Sequence, residues 1–421
     1  MTFEPGSFRT TWSYNALVYS LAGLIIERAS GISYSDFMLS NVFAPLGMTR
    51  TRVVPLRSIN ERQSSFNTFA IPYVISEDGA RHQIAIKNYG YGPFASSAGC
   101  ESTVTDILRF SKALMATKST AAVNMELLSN EAASLPNEVG HILNVSCILP
   151  PSRFGTLSYC LGLFHMDGHH ITEHLVDEIL VSGTTQPYAQ QNASLMSKKV
   201  PAPPGPNRKI YFHSGYVPGF YSVLYLFPQT NSAVTVLENS SGGGDCAGRV
   251  GYLLSAVVSG DEPPRDLLGS AEAEREMDRC RWHTINQLLQ NNLLCLQEND
   301  LGPRLAFENI SGRYLNSTFG ITIIICDYYD TDTQRTEPSG WELFFRSRDS
   351  QGLRLTPYHG TTWCFLPSKA AYYRRNMRHL SSWSQFLVHL HFDAGANEPR
   401  GLWWQYELTV DAIWFERAGD C

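Results

Sequence analysis

Long apolar runs are the first thing this sequence lacks. The longest candidates, around Leu21 to Ile26 and Ile321 to Cys326, fall far short of the ~20 residues that a membrane-spanning helix needs. No basic run occurs, and a formal net charge of -6 argues against nonspecific binding to nucleic acid. The nine cysteines are scattered without close pairs, so neither a zinc ribbon nor a disulfide framework is indicated. The glycine cluster Ser241, Gly242, Gly243, Gly244 lacks the lysine of a phosphate-cradling loop. Met1 is followed by Thr-Phe-Glu-Pro-Gly, which is neither a signal nor a transit peptide, and the chain as written is expected in the cytosol, without a membrane.

What is present suits a folded protein of about two domains: 421 residues, 43% hydrophobic and 17% charged. From Pro5 to Thr51 the pattern is dense. Leu17, Leu21, Leu24 and Ile25 recur at helical spacing and predict a buried helix face, stopped by Ser30 and Gly31. Ser33 and Asp36 then stand in capping-box spacing before Phe37 and Met38, and Pro45 forbids continuation. Thr103 and Asp106 repeat that spacing and open a helix through Leu114 and Met115.

Strand signals follow. Tyr159 to Phe164 reads as a strand. Lys209 to His213, Tyr221 to Phe227 and Ala233 to Glu238 read as an antiparallel meander, with Gly215 to Gly219 as its first turn. An apolar helix through Val250, Leu253, Leu254 and Val257 is expected to pack on that sheet. Asp261 to about Pro303 is charged and helical, a link between domains. From Asn309 the short strands Gly312–Tyr314, Ile321–Cys326, Trp341–Arg346, Phe386–Phe392, Trp403–Leu408 and Ala412–Phe415 suggest a small β-barrel or sandwich.

The order of Pro5-Gly6, Tyr14-Asn15-Ala16, the long helix, Pro45 to Met48 with Thr51, and then Ala98-Gly99 with Ser102, Thr103 and Asp106 resembles the serine β-lactamase and penicillin-binding-protein family. That family also holds esterases, peptidases and acyltransferases. The resemblance covers about Pro5 to Val257. It implies an α+β fold: a partial β-lactamase/transpeptidase-like domain of antiparallel sheet and helices at 1–260, then a helical linker at 261–303. Ser311 to Tyr314 is similar to the start of the lipocalin-like barrel appended to many members, which gives an all-β barrel domain at 304–421. Acyl chemistry on a small-molecule or peptide substrate is implied, with no cofactor and no metal.

In that family the nucleophile is the serine of Ser-x-x-Lys, activated by its lysine and by the tyrosine of Tyr-x-Asn. Tyr14 matches the tyrosine and is the candidate base; a free phenol has a pKa of roughly 10 and needs a nearby cation to act as one. Ala16 stands where the family has asparagine, an altered position that weakens an amide substrate. His213, Ser214 and Gly215 correspond to Lys-Thr-Gly on the strand edging the cleft, and the Tyr216 N–H would be half of an oxyanion hole. Ser-x-x-Lys occurs nowhere in the 421 residues. The expectation is a truncated, inactive chain, a pseudoenzyme serving as a binding or structural relative, with any partner chain unidentified. A remote alternative is a zinc peptidase built on His170, Glu173 and His174, which fit His-x-x-Glu-His but stand in no long helical pattern.

Overall fold

Helix α1 (Ala16–Ser30) shows how local sequence becomes architecture here. One side carries small residues. At Gly23 an added Cβ would lie 2.2 Å from Ser96 Oγ, so the missing side chain is what lets Ser96 approach the helix this closely. Ser20 Oγ meets Ser97 Oγ at 3.2 Å, and Ser96 Oγ donates to the Tyr19 carbonyl at 2.8 Å. The apolar stripe takes the other side. Leu21, Leu24 and Ile25, expected in the core, are 55%, 47% and 58% exposed. The periodicity is real, but close packing selected the small-residue face.

The computed structural model describes residues 16–53, 70–76, 79–84, 95–116, 142–144, 147–148, 156–168, 208–241, 245–261, 267–299, 310–318, 320–329, 339–345, 352–375, 377, 380, 382–405 and 411–420. They fall into two units: one of Met1–Val74 with Arg81–Glu272, the other of Ile75–Ala80 with Ala273–Cys421. The fold is α+β, with a closed antiparallel barrel in the second unit. None of the described helices is long and apolar enough to cross a membrane.

In the first unit, α2 (Tyr34–Met38) is capped by Ser33, whose Oγ accepts from the Asp36 N–H at 3.1 Å. A π-helical turn, Leu39–Phe43, leads to Pro45 and Met48, and Phe43, Met48 and Val53 form a small core there. The two-residue strands β1 (Arg52–Val53) and β4 (Cys100–Glu101) pair antiparallel. The short strands β2 (Tyr73–Ile75) and β3 (Arg81–Gln83) join a separate three-stranded sheet. Helix α3 (Ala95–Ala98) receives α1, and α4 (Val104–Ala116) starts at Thr103, whose Oγ1 accepts from the Asp106 N–H at 3.4 Å.

The capping box at Thr103 is only half made, because the Asp106 carboxylate is used elsewhere. It is buried and accepts from the Arg50 N–H at 2.8 Å, from Thr51 Oγ1 at 3.0 Å, and from Arg109 Nη1 at 2.8 Å. Arg109 Nη1 also donates to the Gly47 carbonyl at 2.7 Å. One carboxylate therefore clamps the segment from Gly47 to Thr51 onto α4. A buried anion is tolerable only with such donors around it.

The main sheet has six antiparallel strands: β5 (Cys147–Ile148), β6 (Thr156–Tyr159), β7 (Phe164–Gly168), β8 (Arg208–Val217), β9 (Phe220–Phe227) and β10 (Ser232–Glu238), in sequential order. Side chains alternate between its faces. Ile210, Phe212, Val223, Tyr225 and Val234 pack together on one face, with Tyr252 of α5 (Cys246–Ser259) against them. Tyr211 and Leu226 pack on the other face with Leu114 and Met115 of α4. A strand buried on both faces reads as a continuous apolar run, as β9 does.

Two sequence expectations are corrected. Tyr159 to Phe164 is not a strand but the reversal between β6 and β7: the Cys160 N–H donates to the Leu163 carbonyl at 2.7 Å, and Gly162 takes φ +93°. The stretch from Gly215 is not a turn either. β8 continues to Val217, because Ser222 Oγ fills the place where a Gly215 Cβ would sit, 2.5 Å away. The reversal is left to Pro218 and Gly219, the latter at φ +86°, and β11 (Ser240–Ser241) holds it through Ser241 Oγ accepting from the Gly219 N–H.

In the second unit, strands β12 (Gly312–Asn316), β13 (Ile321–Tyr328), β14 (Gly340–Phe345), β15 (Leu353–His359), β16 (Thr362–Cys364), β17 (Leu387–His391), β18 (Gly401–Trp404) and β19 (Ile413–Arg417) close in sequential order into a barrel. The stretch read as a link is helix α6 (Leu267–Asn299), and its Ile285 and Leu289 sit in the barrel core beside Tyr314, Trp363, Phe365, Phe386 and Trp404. Two of the buried aromatic polar ends are served, Trp404 Nε1 donating to the Gln385 carbonyl and Tyr314 Oη to the Ile310 carbonyl, whereas Trp363 Nε1 has no hydrogen-bond partner among the described residues.

Two outcomes follow from this packing. Asp106→Ala removes the carboxylate that accepts from the Arg50 N–H, Thr51 Oγ1 and Arg109 Nη1 and costs about 2–4 kcal/mol in denaturant unfolding; a loss under about 1 kcal/mol would remove Asp106 from its clamping role. The outward apolar stripe of α1 makes the chain bind anilinonaphthalene sulfonate under native conditions, and Leu21→Glu with Ile25→Glu reduces that fluorescence. Unchanged fluorescence in the double variant would show that this face is covered.

Candidate functional site

His213, Ser214, Gly215 and Tyr216 lie on the last half of β8, the strand at the middle of the sheet. The ladder with β7 ends at Phe212, paired with Phe164, whereas the ladder with β9 continues to Val217, paired with Phe220. β8 therefore runs five residues past β7, and those residues include all four expected site positions. The Tyr216 ring meets that of its cross-strand neighbour Tyr221 at 4.8 Å, with the planes tilted by 41°.

The His213 imidazole lies over the Phe164 ring, centroids 5.5 Å apart and planes at 29°. Its Nδ1 is 2.5 Å from the Ser214 carbonyl oxygen. Burial pushes its pKa below the ordinary histidine value of 6.5, and the carbonyl contact opposes that shift in part. Ser214 Oγ is buried and has no hydrogen-bond partner among the described residues. Asp245 caps α5 by accepting from the Gly248 N–H, and Glu238 accepts from the Ala247 N–H. Burial is the larger cause raising both carboxyl pKa values.

A continuous side-chain path joins α1 to His213. Tyr19 Oη and Tyr159 Oη are 2.5 Å apart, Tyr159 meets Phe164 edge-on at 5.0 Å, and Phe164 lies under His213. The expected opposite wall is only partly in view. Ala16 is the first residue of α1, while Tyr14 lies outside the described residues, as do His170, Glu173 and His174. Among the described residues no group of three or more His, Cys, Asp or Glu side chains could hold a metal ion. Sequence reasoning missed Tyr19, Tyr159 and Phe164. Only their aromatic character marked them, and no spacing rule links residues 140 apart.

The depressed His213 pKa fixes a sign. The neutral ring is favoured by folding, so its contribution to stability is complete above about 6.5 and is lost as pH falls through the lower folded value. His389 is shifted the same way by burial, whereas Glu238 and Asp245, shifted up, favour the folded chain at acid pH and lose that as pH rises. Comparison with His213→Gln isolates the histidine. The unmodified chain is expected to lose more stability between about pH 7 and 5 than the variant, and parallel melting curves would show that His213 is not buried neutral.

A family model described as Beta-lactamase matches residues 4–257, more than half of the chain. Penicillin-binding protein 4* of Bacillus subtilis (strain 168) is 32% identical over 118 residues, 27% of this chain and 25% of that protein, so the chain spans about a quarter of the length of this relative. Among solved structures, the octameric penicillin-binding protein homologue from Pyrococcus abyssi is similar with a TM-score of 0.42 and 16% identity, over 95% of this chain and 65% of that one. The beta-lactamase/D-alanine carboxypeptidase from Pseudomonas syringae has a TM-score of 0.39 and 16% identity, over 60% of each chain. On the extent of the family match, which spans both the α1 segment and the β8 edge, this chain belongs to the serine beta-lactamase and penicillin-binding-protein-like family.

Proposed function

We propose that this chain carries the substrate wall of an acyl-transfer cleft for ester, amide or peptide acyl groups, and that as it stands it transfers no acyl group. The observation that carries the reading is the extension of β8 past β7, which leaves His213 to Val217 beyond the β7 ladder. A strand edge of that kind can hydrogen-bond an extended substrate. On this reading Tyr14 is the base, the Tyr216 N–H is half of an oxyanion hole, and Ala16 withholds the amide contact that the family's asparagine gives. Ser214 Oγ, without a partner among the described residues, is a group that a ligand can satisfy.

Acylation needs a hydroxyl whose proton a neighbouring base removes, and the family supplies both from Ser-x-x-Lys. No such sequence exists in these 421 residues. The second oxyanion donor, the N–H of that serine, is absent with it. The chain is thus read as a binding or structural relative, or as part of an assembly in which a longer product or a partner chain supplies the nucleophile. The domains are read as 1–260, 261–303 and 304–421. The sequential order of the eight barrel strands supports the lipocalin-like reading of the last, and its aromatic filling supports a structural role over a carrier role.

The purified chain is expected to give no adduct with a fluorophosphonate or penicillin probe by intact mass. Stoichiometric labelling of a single serine would overturn the reading of an inactive chain.

A further inference from the structure

We propose that the outer edge of β10 is a docking surface for a second copy of this chain, the two β10 strands pairing antiparallel about a two-fold axis at Thr235. This surface lies at the border of the main sheet, apart from β8, and does not depend on the cleft reading. Among the described residues β10 (Ser232–Glu238) pairs with β9 alone, so one side of its backbone has no ladder partner. Exposed strand edges are ordinarily blunted by shortness, a lysine, a proline or a bulge. The opposite edge of this sheet follows that rule, since β5 has two residues. β10 does not. It runs for seven residues in unbroken register with β9, and Ser-Ala-Val-Thr-Val-Leu-Glu holds no lysine, proline or glycine.

The strand's own sequence points to a second copy as the occupant. Centred on Thr235, antiparallel pairing sets Ser232 against Glu238 of the second copy, Ala233 against Leu237 and Val234 against Val236, with Thr235 against itself. The only charge in the strand then faces a hydroxyl rather than its own kind, a small residue faces a large one, and β-branched pairs meet at the centre. Paired positions are an even number of residues apart. They therefore share a face, and outward backbone groups meet outward backbone groups. A contact of this self-complementary kind closes at two chains.

Helix α5 fits the same arrangement. It packs over both β9 and β10, and its Val250, Leu254 and Val257, one helical stripe, are exposed. Joining two sheets edge to edge puts both α5 helices on one face, about two strand spacings or roughly 10 Å apart, the distance at which helices pack. The pairing that completes the ladder thus draws α5 alongside its counterpart.

Analytical ultracentrifugation of the unmodified chain at tens of micromolar is expected to show a species of twice its 47.1 kDa mass. Thr235→Cys, mildly oxidised, is expected to give a peptide cross-linked between the two copies of residue 235 by mass spectrometry. Only this register brings that position opposite itself within disulfide reach. Ser232→Lys and Ser232→Glu both lose the bond from Ser232 Oγ to the Thr230 carbonyl and differ in the sign of the new charge. The first is expected to tighten the dimer and the second to loosen it, by roughly fivefold each. A chain that stays monomeric overturns the proposal and leaves the edge to a strand from a different protein. So does a dimer without the 235 cross-link, or one abolished by Leu21→Glu with Ile25→Glu, which would move the contact to α1. Should a Ser232 variant not fold, the cross-link still decides.

Discussion

A strand that runs past its neighbour makes an edge, and the first unit is arranged around one such edge. β8 and β9 are joined by a two-residue reversal and stay paired to Val217, while β7 begins at Phe164 and reaches β8 only up to Phe212. The reversal between β6 and β7 decides where β7 starts. Phe164 is therefore three things at once: the first residue of β7, the ladder partner of Phe212, and the ring beneath His213. The turn that ends the ladder also builds the support for the histidine. Uncovered strand edges invite pairing with other chains, and five residues is a length that suits a peptide-sized ligand better than a whole strand.

The helices around this edge are held differently from the sheet. Sheet strands bury Ile210, Phe212, Tyr225 and Leu226 almost completely. Helix α1 is instead attached by polar contacts, Ser20 to Ser97, Ser96 to the Tyr19 carbonyl, and Tyr19 to Tyr159. Each such bond contributes about 1 kcal/mol net, less than a fully buried leucine, but each has a direction. Apolar contact would let the helix slide. Hydrogen bonds and the Gly23 contact fix its rotation, and with it the height at which Tyr19 meets Tyr159. Asp106 does the same for the segment from Gly47 to Thr51.

Local chemistry was the legible part of the sequence. The caps at Ser33 and Thr103, the strands around Tyr221 to Phe227 and Ala233 to Glu238, and most barrel strands can be read from spacing and turn residues alone. The buried face of α1 could not be: periodicity says which side is apolar, not which side is covered. β15 escaped notice because Pro357 interrupts it, at the irregularity in register between Pro357 and His359. His213, Ser214 and Gly215 carry the family pattern, yet glycine and serine suggest a turn. Only the cross-strand Ser222 explains why they stay extended. Asp106 was legible as a cap, but its partners Arg50 and Thr51 lie more than 50 residues away, and no local rule reaches that far.

The Ser214 hydroxyl, buried and without a hydrogen-bond partner among the described residues, bears on what kind of relative this is. A buried donor without a partner costs about 1–3 kcal/mol relative to a satisfied one, and an apolar side chain of similar size beside Val223 would avoid that cost. A strand serving only as scaffold gains nothing from such a group. A strand that meets a ligand does, because the ligand supplies the partner when it binds and the empty site carries the cost. Next to it, His213 is supported on one ring face by Phe164 and tied at Nδ1 to the Ser214 carbonyl, so the same serine orients the imidazole through its backbone and leaves its own side chain for something else. On the proposed reading these are features of a recognition edge: binding depends on β8 and on its supports, the Phe164 ring and the Ser214 carbonyl, and not on the group that would be acylated.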